Sequence, residues 1–148
     1  MKILISDKIH NKGVDILREK GLSVDEKLDL SSKELEKILP DYDAIIVRSA
    51  TKLDKTLLER ANKLKVVGRA GVGLDNIDLK TCERLKIKVM NTSEAPSVSV
   101  AELTIGLILN ILRRIPKANS TMHCGEWCKK ELLGETLYRK KVGIIGFG

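Results

Sequence analysis

The 148 residues include 27 Lys and Arg against 20 Asp and Glu, a formal net charge of +7, and 43% of them are hydrophobic. That apolar content excludes wholesale disorder, and the length suits one domain, or one domain with part of another. The positive balance does not read as a nucleic-acid surface, because the few aromatic residues, Tyr42, Trp127, Tyr138 and Phe147, are not interleaved with basic runs as base stacking requires; it suits a small anionic ligand, which such a field steers inward.

Taken in chain order, Lys2–Ser6 is an apolar run of strand length. Asn11 to Lys20 carries Val14, Ile16 and Leu17 at helical spacing, with Gly21 where a helix stop belongs. Leu22–Val24 predicts a weak second strand, and Ser31-Ser32 opens a helix with Leu35, Ile38 and Leu39 on its apolar face and Pro40 past its end. Ala44–Val47 is the clearest buried strand. Asp54 caps a helix bearing Leu57, Leu58 and Ala61. Val66-Val67 and Ile87–Met90 predict strands four and five, with a short helix around Leu79–Leu85 between them.

Strands that are apolar throughout, alternating with amphipathic helices, predict an α/β fold whose parallel sheet has helices on both faces. In such sheets ligands collect beyond the carboxyl ends of the strands. Arg48-Ser49-Ala50-Thr51, Arg69-Ala70-Gly71-Val72-Gly73 and Asn91-Thr92 occupy those positions.

The remainder reads differently. Ser99 followed by Glu102 predicts a capping box, opening a helix that runs to about Ile115 and stops before Pro116. Its apolar residues go all the way round, so burial against a second domain or subunit is expected. Its run Leu103–Leu112 is far shorter than the ~20 residues of a membrane span. Lys141–Ile145 predicts a buried strand leading into Gly146-Phe147-Gly148, and a final strand with nothing beside it suggests that the chain is cut within a second domain.

Gly146-Phe147-Gly148 is either the front of a dinucleotide-binding turn or an ordinary glycine turn. Gly71-Val72-Gly73 can offer backbone N–H groups to an anion, with Arg48 and Arg69 at neighbouring strand ends able to grip a carboxylate or phosphate; from spacing alone a plain turn with locally paired arginines is the simpler account. His123, Cys124 and Cys128 lack the spacing and the fourth ligand of a zinc site, so no metal is expected. Three cysteines give no even disulfide framework, and the apolar N-terminal run ends at Asp7, unlike a signal peptide; a reducing, cytoplasmic setting is expected.

The segments IIVRSATKLD, VVGRAGVGLDNIDL, VMNTSEAPSVSVAELTIGLIL and VGIIGFG, in this order and at these intervals, closely resemble the D-isomer-specific 2-hydroxyacid dehydrogenases, and together they span the chain. The nearest likeness is to members that oxidise a phosphorylated glycerate. The resemblance implies a flavodoxin-like substrate-binding domain over residues 1–97. It implies that residues 98–148 hold the crossover helix, an arm (116–140, with Trp127) that helps form a homodimer or a larger homo-oligomer, and the first strand of an NAD-binding Rossmann domain.

It further implies that the amides of Gly71, Val72 and Gly73 hold the carboxylate of a small 2-hydroxy or 2-oxo acid. Arg48 and Arg69 stand near the substrate and suit a phosphate, and Ser49 and Asn76 are polar neighbours of that loop. Val72 and Val100 face the nicotinamide, and Gly146 and Gly148 form the phosphate loop for NAD. Position 72 is threonine in some relatives; valine keeps the backbone donor and loses the hydroxyl. The family's catalytic histidine, its acid and its carbonyl-polarising arginine match nothing here: His10 belongs to a helix start and His123 to the arm. No catalytic residue is therefore expected among these 148, which predicts that this stretch alone is inactive. The rival readings are a family member acting on glyoxylate or hydroxypyruvate, and a non-catalytic anion-binding or regulatory module.

Overall fold

A five-stranded, wholly parallel sheet organises residues Met1–Pro96 in the computed structural model, which describes residues 1–146. Strands β1 (Lys2–Ile5), β2 (Ser23–Glu26), β3 (Ala44–Val47), β4 (Val66–Arg69) and β5 (Lys88–Asn91) stand in the order β2-β1-β3-β4-β5. Helices α1 (Asn11–Glu19), α2 (Ser32–Ile38), α3 (Lys55–Arg60) and α4 (Leu79–Arg84) connect them. This is the flavodoxin-like order expected, and it reverses direction between β1 and β3, where such sheets open a crevice.

The period-two alternation of each strand divides the core. Leu4, Ile45, Val47 and Val67 point to one face, where they join Leu35 of α2, Leu39 just past its end, and Leu57 and Leu58 of α3 in a single buried cluster. The opposite face carries Ile3 and Ile5, with α1 laid beside it; Gly13 and Leu17 of that helix line a shallow groove with Ile46 and Gly68.

Local chemistry sets the helix ends. The His10 ring nitrogen accepts from the Lys12 N–H at the start of α1, and Gly21, at φ +74°, makes the left-handed turn that leaves it. Ser31 and Glu34 cap α2 reciprocally, and the carboxylates of Asp54 and Asp78 accept from Leu57 and Thr81 at the starts of α3 and α4.

Residues from Ser97 onward form a second compact unit. Here three expectations are corrected. The helix α5 spans Ser97–Leu112, so Ser99 lies inside it and is not its cap. The chain does not stop being helical at Pro116: α5 ends at Leu112, where its carbonyl accepts from the Glu135 N–H at 2.8 Å, and α6 (Ile115–His123) starts with Pro116 in its first turn, where a missing N–H costs nothing. The strand expected over Lys141–Ile145 is not formed; these residues pair with no other strand, and Ile145 is fully exposed. An extended segment becomes a strand only beside a partner.

No residue of α5 is buried, although its apolar residues go all round as read from the sequence. No helix among the described residues is long and apolar enough to cross a membrane.

Candidate functional site

The carboxyl ends of β1, β3 and β4 meet around the turn Arg48–Thr51. Two buried side chains hold this turn from opposite sides. Asp7, two residues past β1, accepts the Arg48 N–H at 2.5 Å, the Thr51 N–H at 3.2 Å and the Thr51 hydroxyl at 2.6 Å. Asn76 donates its NH₂ group to the carbonyls of Arg48 at 2.7 Å and Thr51 at 2.6 Å. Burial alone would raise the Asp7 pKa, but the Thr51 hydroxyl and the N–H groups of Arg48, Thr51 and Ala50 outweigh it and leave the carboxyl below its ordinary range. Asp7 is therefore a carboxylate at neutral pH, with its charge spread over fixed donors.

Arg69 closes β4 opposite Val47 in the ladder. Its Nε donates to the Arg48 carbonyl at 3.4 Å, and Nη2 stands 3.9 Å from Asp75 Oδ1. The guanidinium bends over the next loop, close enough that a Cβ on Gly71 would lie 2.9 Å from Nη1. The Gly71 N–H turns back to the Arg69 carbonyl at 2.9 Å, and the Val72 carbonyl accepts from Asn91 Nδ2 at 2.6 Å. The N–H groups of Val72 and Gly73 reach no acceptor among the described residues.

Arg48, Ser49, Arg69, Gly71, Val72, Gly73 and Asn76 are thus brought together at adjacent strand ends. Arg48 and Ser49 are exposed, while Arg69 keeps only 12% of its side chain accessible. Asn76 enters as a brace of the Arg48–Thr51 turn: both of its N–H donors go to backbone carbonyls, and its buried Oδ1 has no partner among the described residues. Val100 and Gly146 belong to the second unit; Val100 is exposed on α5, and Gly146 takes φ +89°, with nothing within 4 Å of where a Cβ would stand. Gly148 lies outside the described residues.

Two participants were not singled out as site residues from the sequence. Asn91 had only its place after the fifth strand to mark it. Asp7 had a clearer signal, an acid directly after the first buried strand. A cleft of about 340 Å³ opens between Asp7, Lys8, Asp29, Arg48 and Ser49, beside the point where the sheet order reverses.

Two arginines at neighbouring strand ends, beside a glycine loop in which two N–H groups have no acceptor among the described residues, have the chemistry to hold an anion. Planar guanidinium groups match carboxylate and phosphate in pairs of hydrogen bonds, and the open amides add a nest for a second charged group. Among the described residues no three His, Cys, Asp or Glu side chains gather as a metal site.

The family model described as "D-isomer specific 2-hydroxyacid dehydrogenase, catalytic domain" matches residues 3–142. The D-3-phosphoglycerate dehydrogenase of Methanocaldococcus jannaschii is 45% identical over 148 residues, all of this chain and 28% of that protein. The human protein of the same name is 46% identical over 147 residues, 99% of this chain and again 28% of the relative. The crystal structure of NAD⁺-bound 3-phosphoglycerate dehydrogenase from Entamoeba histolytica superposes with a TM-score of 0.66 at 35% identity, covering 76% of this chain and 39% of that one. The chain thus spans less than a third of the length of the curated relatives it matches.

Proposed function

We propose a function from one premise: this chain belongs to the D-isomer specific 2-hydroxyacid dehydrogenase family. It is the N-terminal portion of a cytoplasmic enzyme that oxidises 3-phospho-D-glycerate to 3-phosphohydroxypyruvate with NAD, at the entry to L-serine synthesis. Residues 1–97 supply its substrate-binding domain, and residues 98–148 begin the NAD-binding domain. The carrying observation is the pairing of Arg48 and Arg69 at adjacent strand ends around a loop whose Val72 and Gly73 N–H groups are open.

In this reading the amides of Val72 and Gly73 bind the substrate carboxylate while Gly71, whose own N–H is held by the Arg69 carbonyl, shapes the loop; Ser49 adds a donor, and Arg48 and Arg69 grip the phosphate. The names of the two curated relatives support the phosphorylated acid. Toward NAD, Gly146 has the positive φ that the first glycine of a pyrophosphate turn needs. With Gly148 it would hold the phosphates, and Val72 and Val100 would face the nicotinamide. When bound, NAD supplies the hydride acceptor. The histidines present are spent elsewhere: His10 caps α1, and His123 Nδ1 lies 2.9 Å from the Asn119 carbonyl in the same helix. Residues 1–148 alone therefore bind anions without transferring hydride. The exposed apolar surface of α5 supports covering by further protein, and a homo-oligomer is part of this reading.

The test is steady-state kinetics of the full-length protein with Arg48→Ala and Arg69→Ala. Each loses charge-assisted phosphate bonds, so KM for 3-phosphoglycerate rises about 10- to 100-fold, with little change for glyoxylate. Equal effects on both acids would remove the phosphate role and favour an unphosphorylated substrate.

A further inference from the structure

The turn that presents Arg48 and Ser49 has no secondary structure of its own. Its shape is fixed by Asp7 and Asn76, neither of which presents a free donor to a ligand. We propose that Asp7 is a positioning residue for the anion site: from the end of β1 it holds the Arg48–Thr51 turn by its N–H groups, while Asn76 holds the same turn by its carbonyls. This rests on the reading of Arg48 as a substrate contact.

Three features carry it. First, Asp7 reaches across more than 40 positions of sequence to the turn, with Arg48 N–H at 2.5 Å and Thr51 N–H at 3.2 Å, so it fixes both ends of the turn to a different strand. Second, the arrangement is closed around it. The Thr51 hydroxyl, 2.6 Å from Asp7 Oδ1, is also 3.0 Å from the Ser6 hydroxyl, and Ser6 and Asp7 are both buried. Third, a carboxylate beside an anion receptor opposes the ligand unless its charge is already engaged. Here it is engaged by backbone and hydroxyl donors, which leaves the Arg48 guanidinium free of it; that group instead reaches the Lys8 carbonyl at 3.4 Å.

Charge and shape make different demands, and this separates the proposal from a purely electrostatic or purely structural role. Asn at position 7 keeps an oxygen for the Arg48 and Thr51 N–H groups and can donate its NH₂ to the Thr51 oxygen. Ala removes the acceptor. The experiment uses the full-length protein with Asp7→Ala, Asp7→Asn, Arg48→Ala and the Asp7→Ala/Arg48→Ala double variant. It measures KM and kcat for 3-phosphoglycerate, the Kd of NAD, and amide exchange at Arg48, Ala50 and Thr51.

The proposal expects Asp7→Ala to raise KM about 10-fold, the scale of one lost charge-assisted contact, with the NAD Kd unchanged and faster exchange at the three amides. Asp7→Asn restores most of the affinity, and Asp7→Ala adds far less in the Arg48→Ala background than alone. Full additivity, or unchanged KM and exchange in Asp7→Ala while Arg48→Ala still raises KM, overturns the proposal and leaves the functional reading standing. So does an Asp7→Asn variant that behaves like Asp7→Ala. A silent Arg48→Ala overturns the functional reading and this proposal together.

Discussion

The guanidinium of Arg69 lies against the backbone of Gly71: a Cβ at position 71 would stand 2.9 Å from Nη1 and 3.3 Å from Cζ. Gly73 is similarly placed, with Nη1 3.5 Å from its virtual Cβ and Asp75 Oδ1 at 2.8 Å. The absence of side chains at these two positions is what lets an arginine fold over a loop with open N–H groups. Gly71→Ala moves a flexible side-chain end and not backbone, so the fold survives and the receptor changes. We expect KM for the anionic substrate to rise about 10-fold, as for loss of one charge-assisted contact, while the melting temperature stays within a few degrees. Calorimetry and kinetics on the same variant check both.

Asn76 braces two loops. Asn76→Ala leaves the Thr51 carbonyl without its side-chain donor and the Arg48 carbonyl with only Arg69 Nε at 3.4 Å, at a cost of about 1–3 kcal/mol. Asn76→Asp is worse, because it turns acceptor atoms toward those same carbonyls. Denaturant unfolding of both variants gives the order wild type, Ala, Asp.

The parallel sheet, its helix order and the cluster of site residues at strand ends were legible because they follow from local signals: continuous apolar runs, caps and glycines. The S-x-x-E signal shows the limits. At Ser31–Glu34 it forms a reciprocal cap, with Ser31 Oγ 2.6 Å from Glu34 Oε2. At Ser99–Glu102 the same spacing sits inside a helix that starts two residues earlier, because the pattern does not fix which residue leaves the helical backbone. Pro116 suggests a stop in the sequence and stands in the first turn of α6, since proline suits either side of a helix break. The roles of Asp7 and Asn76 were hidden for a different reason: they depend on pairing between residues more than 20 positions apart, which only the folded register supplies.

Ser31→Ala tests the genuine cap. It removes the acceptor for the Glu34 N–H and one of the two donors to the Glu34 carboxylate, which keeps the bond from the Ser31 N–H. A loss of about 1 kcal/mol is expected, read as a lower denaturation midpoint at unchanged slope.

Asp7 also predicts a pH dependence. Its folded pKa lies below the ordinary value of 3.8, so between the two values the unfolded chain binds more protons than the folded one. Its contribution to stability is then complete above about pH 4–5 and falls as pH drops through the folded value. Asp7→Asn lacks this contribution. The stability difference between wild type and Asp7→Asn therefore narrows on acidification from pH 6 to pH 3, followed by urea unfolding. A difference that widens would contradict the assignment.

The most direct test of the central claim is substrate choice by the full-length protein. NADH formation from 3-phospho-D-glycerate is compared, by kcat/KM for the reverse direction as well, with NADH oxidation by 3-phosphohydroxypyruvate, hydroxypyruvate and glyoxylate. Two arginines committed to a phosphate predict a preference of about 100-fold or more for the phosphorylated acid. Equal or better turnover of glyoxylate would contradict the account.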